Sequence, residues 1–106
     1  VVIVDNGTTA MTGQQEHPGT GRTLDHEPTG KLVFEDIARA MGIKEVHVID
    51  PLKEEGEFAR LLAETLAKEQ PAVLITRRAC LLAAARIRAY EQRALQGKEA
   101  CNADGK

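Results

Sequence analysis

Apolar residues along this chain fall into blocks with two different periods. Val1 to Val4 are four consecutive β-branched residues, and Ala72 to Thr76 form a second continuous apolar run. Short unbroken runs of this kind predict strands buried on both faces, as in a parallel sheet. A third strand is predicted over Val46, His47, Val48 and Ile49, closed by Asp50-Pro51. Between these blocks the period lengthens. Phe34, Ile37, Ala38 and Met41 stand at i, i+3, i+4, i+7, the pattern of a helix with one buried face. Gly42 supplies a left-handed stop, and Glu35 and Asp36 lie in the first turn, where carboxylates suit the helix dipole. A second helix is predicted from about Glu54 to Glu69, with Phe58, Leu61, Leu62, Thr65 and Leu66 on one face, ending at Gln70-Pro71. Leu81 to Leu95 is rich in Ala and Arg, with Ile87, Tyr90 and Ala94 at helical spacing, and reads as a third helix. Gln96 to Lys106 reads as a polar, frayed tail.

Strands alternating with helices predict an α/β fold, a mostly parallel sheet in three layers with right-handed crossovers. The continuous run at 72–76 is the expected central strand. All three strands then end on one side, which puts Asn6, Asp50 and Arg77 along the carboxyl edge, where open α/β sheets bind their ligands. From that edge starts an irregular stretch, 6–32, expected to lie over it. It carries Gly13, Gly19 and Gly21 and the oxygen donors Asn6, Thr8, Thr9 and Thr12. Loops this long are uncommon in compact domains unless functional or disordered, and the clustering of small residues at the strand end points to function. Oxygen donors with little bulk suit a hard cation and a phosphorylated ligand.

Composition removes several classes of partner. A net charge of −2 leaves no electrostatic footprint for nucleic acid. No apolar run approaches membrane-spanning length, and Cys80 and Cys101, far apart, form no Cys-x-x-Cys. A reducing, cytoplasmic setting is expected. Three strands make a narrow sheet for a binding fold, so part of a longer polypeptide is expected.

At single residues, alternatives stay open. Asn6-Gly7 serves equally as an Asx-turn reversing the chain. Met11 is either a gap-filling core residue or a ligand contact. His17, in Glu16-His17-Pro18-Gly19, is either a proton-transfer or substrate-orienting group or a solvated loop histidine. Arg77-Arg78 would hold a substrate carboxylate, or cap the sheet edge or meet a partner subunit; the second is favoured. Cys80 is expected to be a small buried hydrophobe. A metal site from His17, His26 and a carboxylate matches no established spacing.

The run Asp5-Asn6-Gly7-Thr8-Thr9-Ala10-Met11-Thr12-Gly13, then Gln15 and His17-Pro18-Gly19-Thr20-Gly21, resembles the thiamine-diphosphate-binding region of the alpha subunit of indolepyruvate ferredoxin oxidoreductases. Pro71 and Ile75-Thr76-Arg77-Arg78-Ala79-Cys80 resemble that family's later strand, where Arg-Arg-Pro-Cys is usual. The resemblance covers about residues 1–95, as the second half of a thiamine-diphosphate-binding domain, with 96–106 a tail leading toward a ferredoxin-like segment. It implies a partial thiamine-diphosphate-binding fold and the oxidative decarboxylation of arylpyruvates to acyl-CoA. It implies thiamine diphosphate and Mg²⁺ as cofactors, with iron-sulfur clusters elsewhere in the parent protein. Implied partners are a 2-oxoacid substrate, coenzyme A, ferredoxin, a second (beta) subunit and a dimer mate, so this piece alone is expected to be inactive. By the same resemblance Asn6 gives a side-chain oxygen and Thr8 a carbonyl to the cation, an upstream Gly-Asp-Gly segment adds a carboxylate, and Thr9, Ala10, Met11 and Thr12 line the diphosphate and thiazolium. Cys101 stands where the family's Cys-x-x-Cys-Gly-x-Cys begins, but Asp104 replaces the next cysteine, and one thiolate cannot hold a cluster. A non-oxidative thiamine-diphosphate decarboxylase or synthase, and a non-catalytic α/β interaction module, are the competing readings.

Overall fold

A computed structural model describes residues 1–103. They divide into two compact units, Val1–Asn6 with Val33–Arg78, and Gly7–Leu32 with the segment from Ala79 onward.

The first unit holds the sheet. Strands β1 (Val2–Asp5), β2 (Glu45–Ile49) and β3 (Ala72–Arg77) are parallel in the order β1-β3-β2, with β3 in the centre. This is the arrangement that the apolar run at 72–76 predicts, since a central strand has no wet face. Val73, Leu74, Ile75 and Thr76 are all buried, and Ile75 is 0 % exposed. Helix α1 (Phe34–Ala40) presents Ala38 to Val73 and Ile75, and Ile3, Phe34, Ile43 and Val46 pack around them. Gly42, at φ 87°, ends α1 as predicted. Its N–H donates to the Arg39 carbonyl (2.9 Å) and that of Ile43 to the Ala38 carbonyl (3.2 Å), the two bonds of a Schellman motif. Helix α2 (Glu55–Ala67) serves the opposite sheet face, where Leu62, Thr65 and Leu66 line a groove of about 260 Å³ with Val2 and Leu74.

Period predicted these helices better than depth. Met41 and Leu66, expected on buried faces, are exposed, and Ile37 is only partly covered. Apolar spacing says which face turns inward; how far the sheet extends beneath it is a tertiary matter. The outer side of β1 pairs with no strand among the described residues, and Val4 is 74 % exposed.

In the second unit, the stretch from Gly7 to Leu32 is irregular but internally bonded. Bridges join Thr9 to Gln15 and Arg22 to Pro28, a 3-10 turn spans Ala10–Thr12, and the Thr29 N–H donates to the Gly21 carbonyl at 2.9 Å. Helix α3 (Ala84–Ala103) starts three residues later than the period at Leu81 predicts and runs on through the stretch read as a polar tail. Gln96, Lys98, Glu99, Ala100 and Ala103 are good helix formers even without an apolar face, and their propensity outweighs Gly97 and carries the extension. Of the tail, Asp104 to Lys106 lie outside the described residues, as does the side chain of Cys101. No helix among the described residues is long and apolar enough to cross a membrane.

Candidate functional site

Register fixes the carboxyl rim of the sheet. Asp5 pairs with Arg77 and Ile49 with Thr76, so Asn6, Asp50 and Arg77 follow one another along the same edge, as expected. Asn6 is half-buried at the first position past β1, reachable from outside and not sealed in the core.

The two arginines are spent on the protein itself. Arg77 Nε donates to Asp5 Oδ2 at 2.8 Å, while Nη1 and Nη2 grip both oxygens of Glu35 at 3.0 and 2.7 Å. Arg78 reaches Asp50 Oδ2 at 3.0 Å, and its backbone N–H donates to the Asp5 carbonyl at 3.0 Å. Asp50 also accepts the N–H groups of Leu52 and Lys53, turning the chain after β2. All three nitrogens of the Arg77 guanidinium have carboxylate partners, so it does not stand ready for a substrate carboxylate. The edge-capping role is the one observed.

These contacts set charge states. The Arg77 hydrogen bonds hold the Glu35 carboxyl down at about 2, against burial, and raise the Arg77 guanidinium. At Asp50 burial pushes up, but N–H groups of Lys53 and Leu52 and the Arg78 guanidinium outweigh it and the carboxyl is lowered. A carboxyl depressed in the folded state stabilises fully above its ordinary value of 4.5 and loses that contribution as pH falls toward about 2. For Glu35 the contribution is at most about 3 kcal/mol, reduced by solvent. Hydrogen exchange of the β3 amides, corrected for intrinsic rates, is expected to show Glu35→Gln less protected at pH 7, with the gap to the parent shrunk to roughly a quarter by pH 2.5. A gap that persists unchanged at low pH would contradict this.

The second unit builds the loop. Gly7 adopts φ 78°, and a Cβ there would stand 3.2 Å from Ile87 Cδ1, so glycine is required on two counts. Thr8 is buried, its hydroxyl donating to the Gln15 carbonyl at 3.1 Å. Thr9 and Gln15 close a small ring: the Thr9 N–H donates to the Gln15 carbonyl (3.1 Å), and the Gln15 N–H to Thr9 Oγ1 (3.0 Å). The Thr9 carbonyl accepts from the N–H groups of Thr12 and Gln14. Ala10 to Thr12 form the apex of this ring, with Met11 100 % exposed, so Met11 fills no gap among the described residues.

Farther along, His17 is half-buried, and its Nδ1 accepts the Gly19 N–H at 3.1 Å, which places the neutral ring's proton on Nε2. Its carbonyl accepts from the Thr20 N–H at 3.0 Å, so the residue shapes the Pro18-Gly19 turn whatever else it does. Beneath the turn lies a polar cluster that sequence reasoning missed. Glu16, 4 % exposed, accepts from the Thr20 hydroxyl at 2.8 Å and from Arg22 Nε at 2.7 Å, and the Arg22 side chain is itself 9 % exposed. Burial raises the Glu16 carboxyl, but the bonds from Thr20 and Arg22 and the Arg22 charge prevail and it is lowered. Arg22 Nη2 reaches the Gly7 carbonyl at 3.4 Å. His26 stacks on Tyr90 at 4.5 Å with Nδ1 3.5 Å from Glu16 Oε1, and the guanidiniums of Arg22 and Arg93 lie 5.5 and 5.3 Å from the Tyr90 ring centroid. Among the described residues no three histidines, cysteines or carboxylates come together as a metal cage. Cys80 is half-buried, less enclosed than expected.

A parallel sheet whose first strand ends in an Asn-Gly step, followed by a threonine and glycine loop with oxygen donors and no bulky apex except Met11, defines an α/β cofactor-binding domain. Its small residues and main-chain polar groups suit a phosphorylated ligand. Comparison with known proteins gives the class its name. The profile of the C-terminal TPP binding domain of thiamine pyrophosphate enzymes matches residues 1–76, and the chain belongs to that family. It is 44 % identical over 84 residues to the indolepyruvate oxidoreductase subunit IorA of Pyrococcus horikoshii, covering 77 % of this chain and 12 % of that protein. The subunit of the same name from Pyrococcus abyssi is 43 % identical, with the same coverage of 77 % and 12 %. That of Archaeoglobus fulgidus is 37 % identical over 91 residues, covering 86 % of this chain and 14 % of that protein. The chain thus spans only 12–14 % of the length of these relatives. No solved structure matches it.

Proposed function

We propose that this chain is the second half of the cofactor-binding domain of a thiamine-diphosphate-dependent 2-oxoacid:ferredoxin oxidoreductase of the indolepyruvate type, which converts arylpyruvates to acyl-CoA. The substrate class follows from the names of the relatives, which are indolepyruvate oxidoreductase subunits. The observation that carries the cofactor role is the place of Asn6, half-buried at the carboxyl rim directly before the Thr8–Thr12 loop. When bound, thiamine diphosphate supplies a nucleophilic carbon and an electron sink for decarboxylating a 2-oxoacid.

The chain's own residues bind and orient. Asn6 would give its amide oxygen and Thr8 its carbonyl to Mg²⁺, while the Thr8 hydroxyl is turned inward to Gln15. The apex at Thr9, Ala10, Met11 and Thr12 would line the diphosphate and thiazolium; the N–H groups of Thr9 and Thr12 are bonded within the loop, so those of Ala10 and Met11 would face phosphate, with the Met11 thioether toward the ring. His17, with its proton on Nε2, would orient the substrate or pass it a proton. Coenzyme A, ferredoxin and iron-sulfur clusters outside this chain complete the reaction, together with a beta subunit, a dimer mate and a cytoplasmic setting.

Titration calorimetry of the full-length protein with thiamine diphosphate and Mg²⁺ tests the reading. Binding is expected, and Asn6→Ala is expected to weaken it about 100-fold by removing a cation ligand. An absence of binding heat in the parent protein would favour the non-catalytic module instead.

A further inference from the structure

We infer that the second unit carries a binding site for an adenosine phosphate, in a polar cleft between the segment 20–31 and helix α3. The cleft encloses about 330 Å³, within the range of roughly 300–1,000 Å³ usual for small-molecule sites, and lies wholly inside that unit. No residue of the Thr8–Thr12 loop lines it. Its frame is built by the chain's own bonds. Along one wall the Arg22 to Pro28 bridge and the Thr29 N–H, bonded to the Gly21 carbonyl at 2.9 Å, hold two segments side by side. The Lys31 stem lies over Gly21, where a Cβ would stand 3.4 to 3.6 Å from three of its carbons. The other wall is α3, with Tyr90, Glu91 and Ala94. Tyr90 is steadied by His26, stacked on it at 4.5 Å, and by the guanidiniums of Arg22 and Arg93 at 5.5 and 5.3 Å.

The lining selects the ligand. Arg22 spends Nε on Glu16 and Nη2 on the Gly7 carbonyl, and Glu16 offsets its charge. The Lys31 ammonium and the Glu91 carboxylate have no ion-pair partner among the described residues, so the cleft offers one uncompensated charge of each sign. A bare anion is a poor match, because Glu91 repels what Lys31 attracts. A ligand with phosphate at one end and N–H donors at the other answers both. An adenosine phosphate is such a ligand. Its phosphate would take charge-assisted bonds from Lys31, and its 6-amino group would donate to Glu91. The flat base would lie against Pro28, Ala94 and the methylene stem of Lys31. Coenzyme A ends in a phosphorylated adenosine, and the reading of this chain as part of an acyl-CoA-forming enzyme makes it the expected source. Only the choice of source rests on that reading.

The test is titration calorimetry of the full-length protein with adenosine 3′,5′-bisphosphate as the probe. Binding is expected, with Lys31→Ala and Glu91→Ala each raising the Kd about 10-fold and Lys31→Arg keeping most of the affinity. Both side chains are exposed, so these variants should fold and should bind thiamine diphosphate as the parent does. Absence of binding heat in the parent, or a parent-like Kd in both alanine variants, overturns the inference. Coenzyme A binding more tightly than 5′-ADP supports the site with the acyl carrier as its source, and the reverse order supports it with a free nucleotide as the source. If thiamine diphosphate fails to bind while the probe binds and responds to the substitutions, the proposed function falls and the adenosine site stands.

Discussion

Replacing Glu16 with alanine is expected to cost about 3–5 kcal/mol of local stability in the segment from Gly7 to Leu32, the loss typical when one partner of a buried ion pair is removed. The Glu16 and Arg22 side chains are 4 % and 9 % exposed and 2.7 Å apart, so deleting the carboxylate strands a guanidinium that water cannot reach in place. The Tyr90 ring, 5.5 Å from the Arg22 guanidinium carbon, offsets this by only about 0.5–2 kcal/mol. Arg22 would have to leave, giving up the Gly7 carbonyl and the stack around Tyr90. Glu16→Gln keeps an acceptor for Thr20 and is expected to cost less than half as much. Limited proteolysis reads the difference, since cleavage between Glu16 and Lys31 should accelerate strongly in Glu16→Ala and modestly in Glu16→Gln. Equal, parent-like resistance in both would mean that the pair contributes nothing.

Ile75→Ala is the other large effect, about 2–5 kcal/mol, the sum of lost transfer energy and an unfilled cavity. Ile75 is 0 % exposed in the middle of the central strand, with a strand on either side, so no element is free to collapse into the gap. Ile75→Val should cost about 0.5–1.5 kcal/mol, and Val4→Ala, at a position 74 % exposed, about 0.5 kcal/mol or less. The ranking is measurable as amide exchange across Ala72 to Arg77. A Val4 substitution as damaging as the Ile75 one would show that the edge strand is covered in solution.

How much of this was legible in the sequence varied with the kind of interaction. Strands came through because a buried parallel strand is written as contiguous apolar residues, and so did the centrality of β3 and the Gly42 stop, whose two hydrogen bonds follow from one left-handed residue. The carboxyl rim was legible for the same reason, because parallel direction puts Asn6, Asp50 and Arg77 at one edge without any knowledge of side chains. Helix depth was not legible: Met41 and Leu66 obey the period, yet both are exposed. Nor was the Glu16, Arg22, His26 and Tyr90 cluster. Its members are joined across an irregular loop and to a helix far along the chain, where no repeat length announces a pairing. The one available cue was negative: a chain with one tyrosine and no tryptophan places that tyrosine where two arginines and a histidine use it. The threonines were read as ligand donors from their oxygens alone. Those of Thr8 and Thr9 close the loop on Gln15 instead.

Strand β1 carries a last consequence. Its outer side pairs with no strand among the described residues, Val1, Val2 and Val4 stand exposed along it, and no lysine or proline interrupts the run. Edges of that composition are templates onto which an extended segment of any identical molecule can zip. Prepared without neighbouring polypeptide to cover that edge, the chain would tend to polymerise as its concentration rises, and a charged residue in place of Val4 would act as a gatekeeper against the fibre.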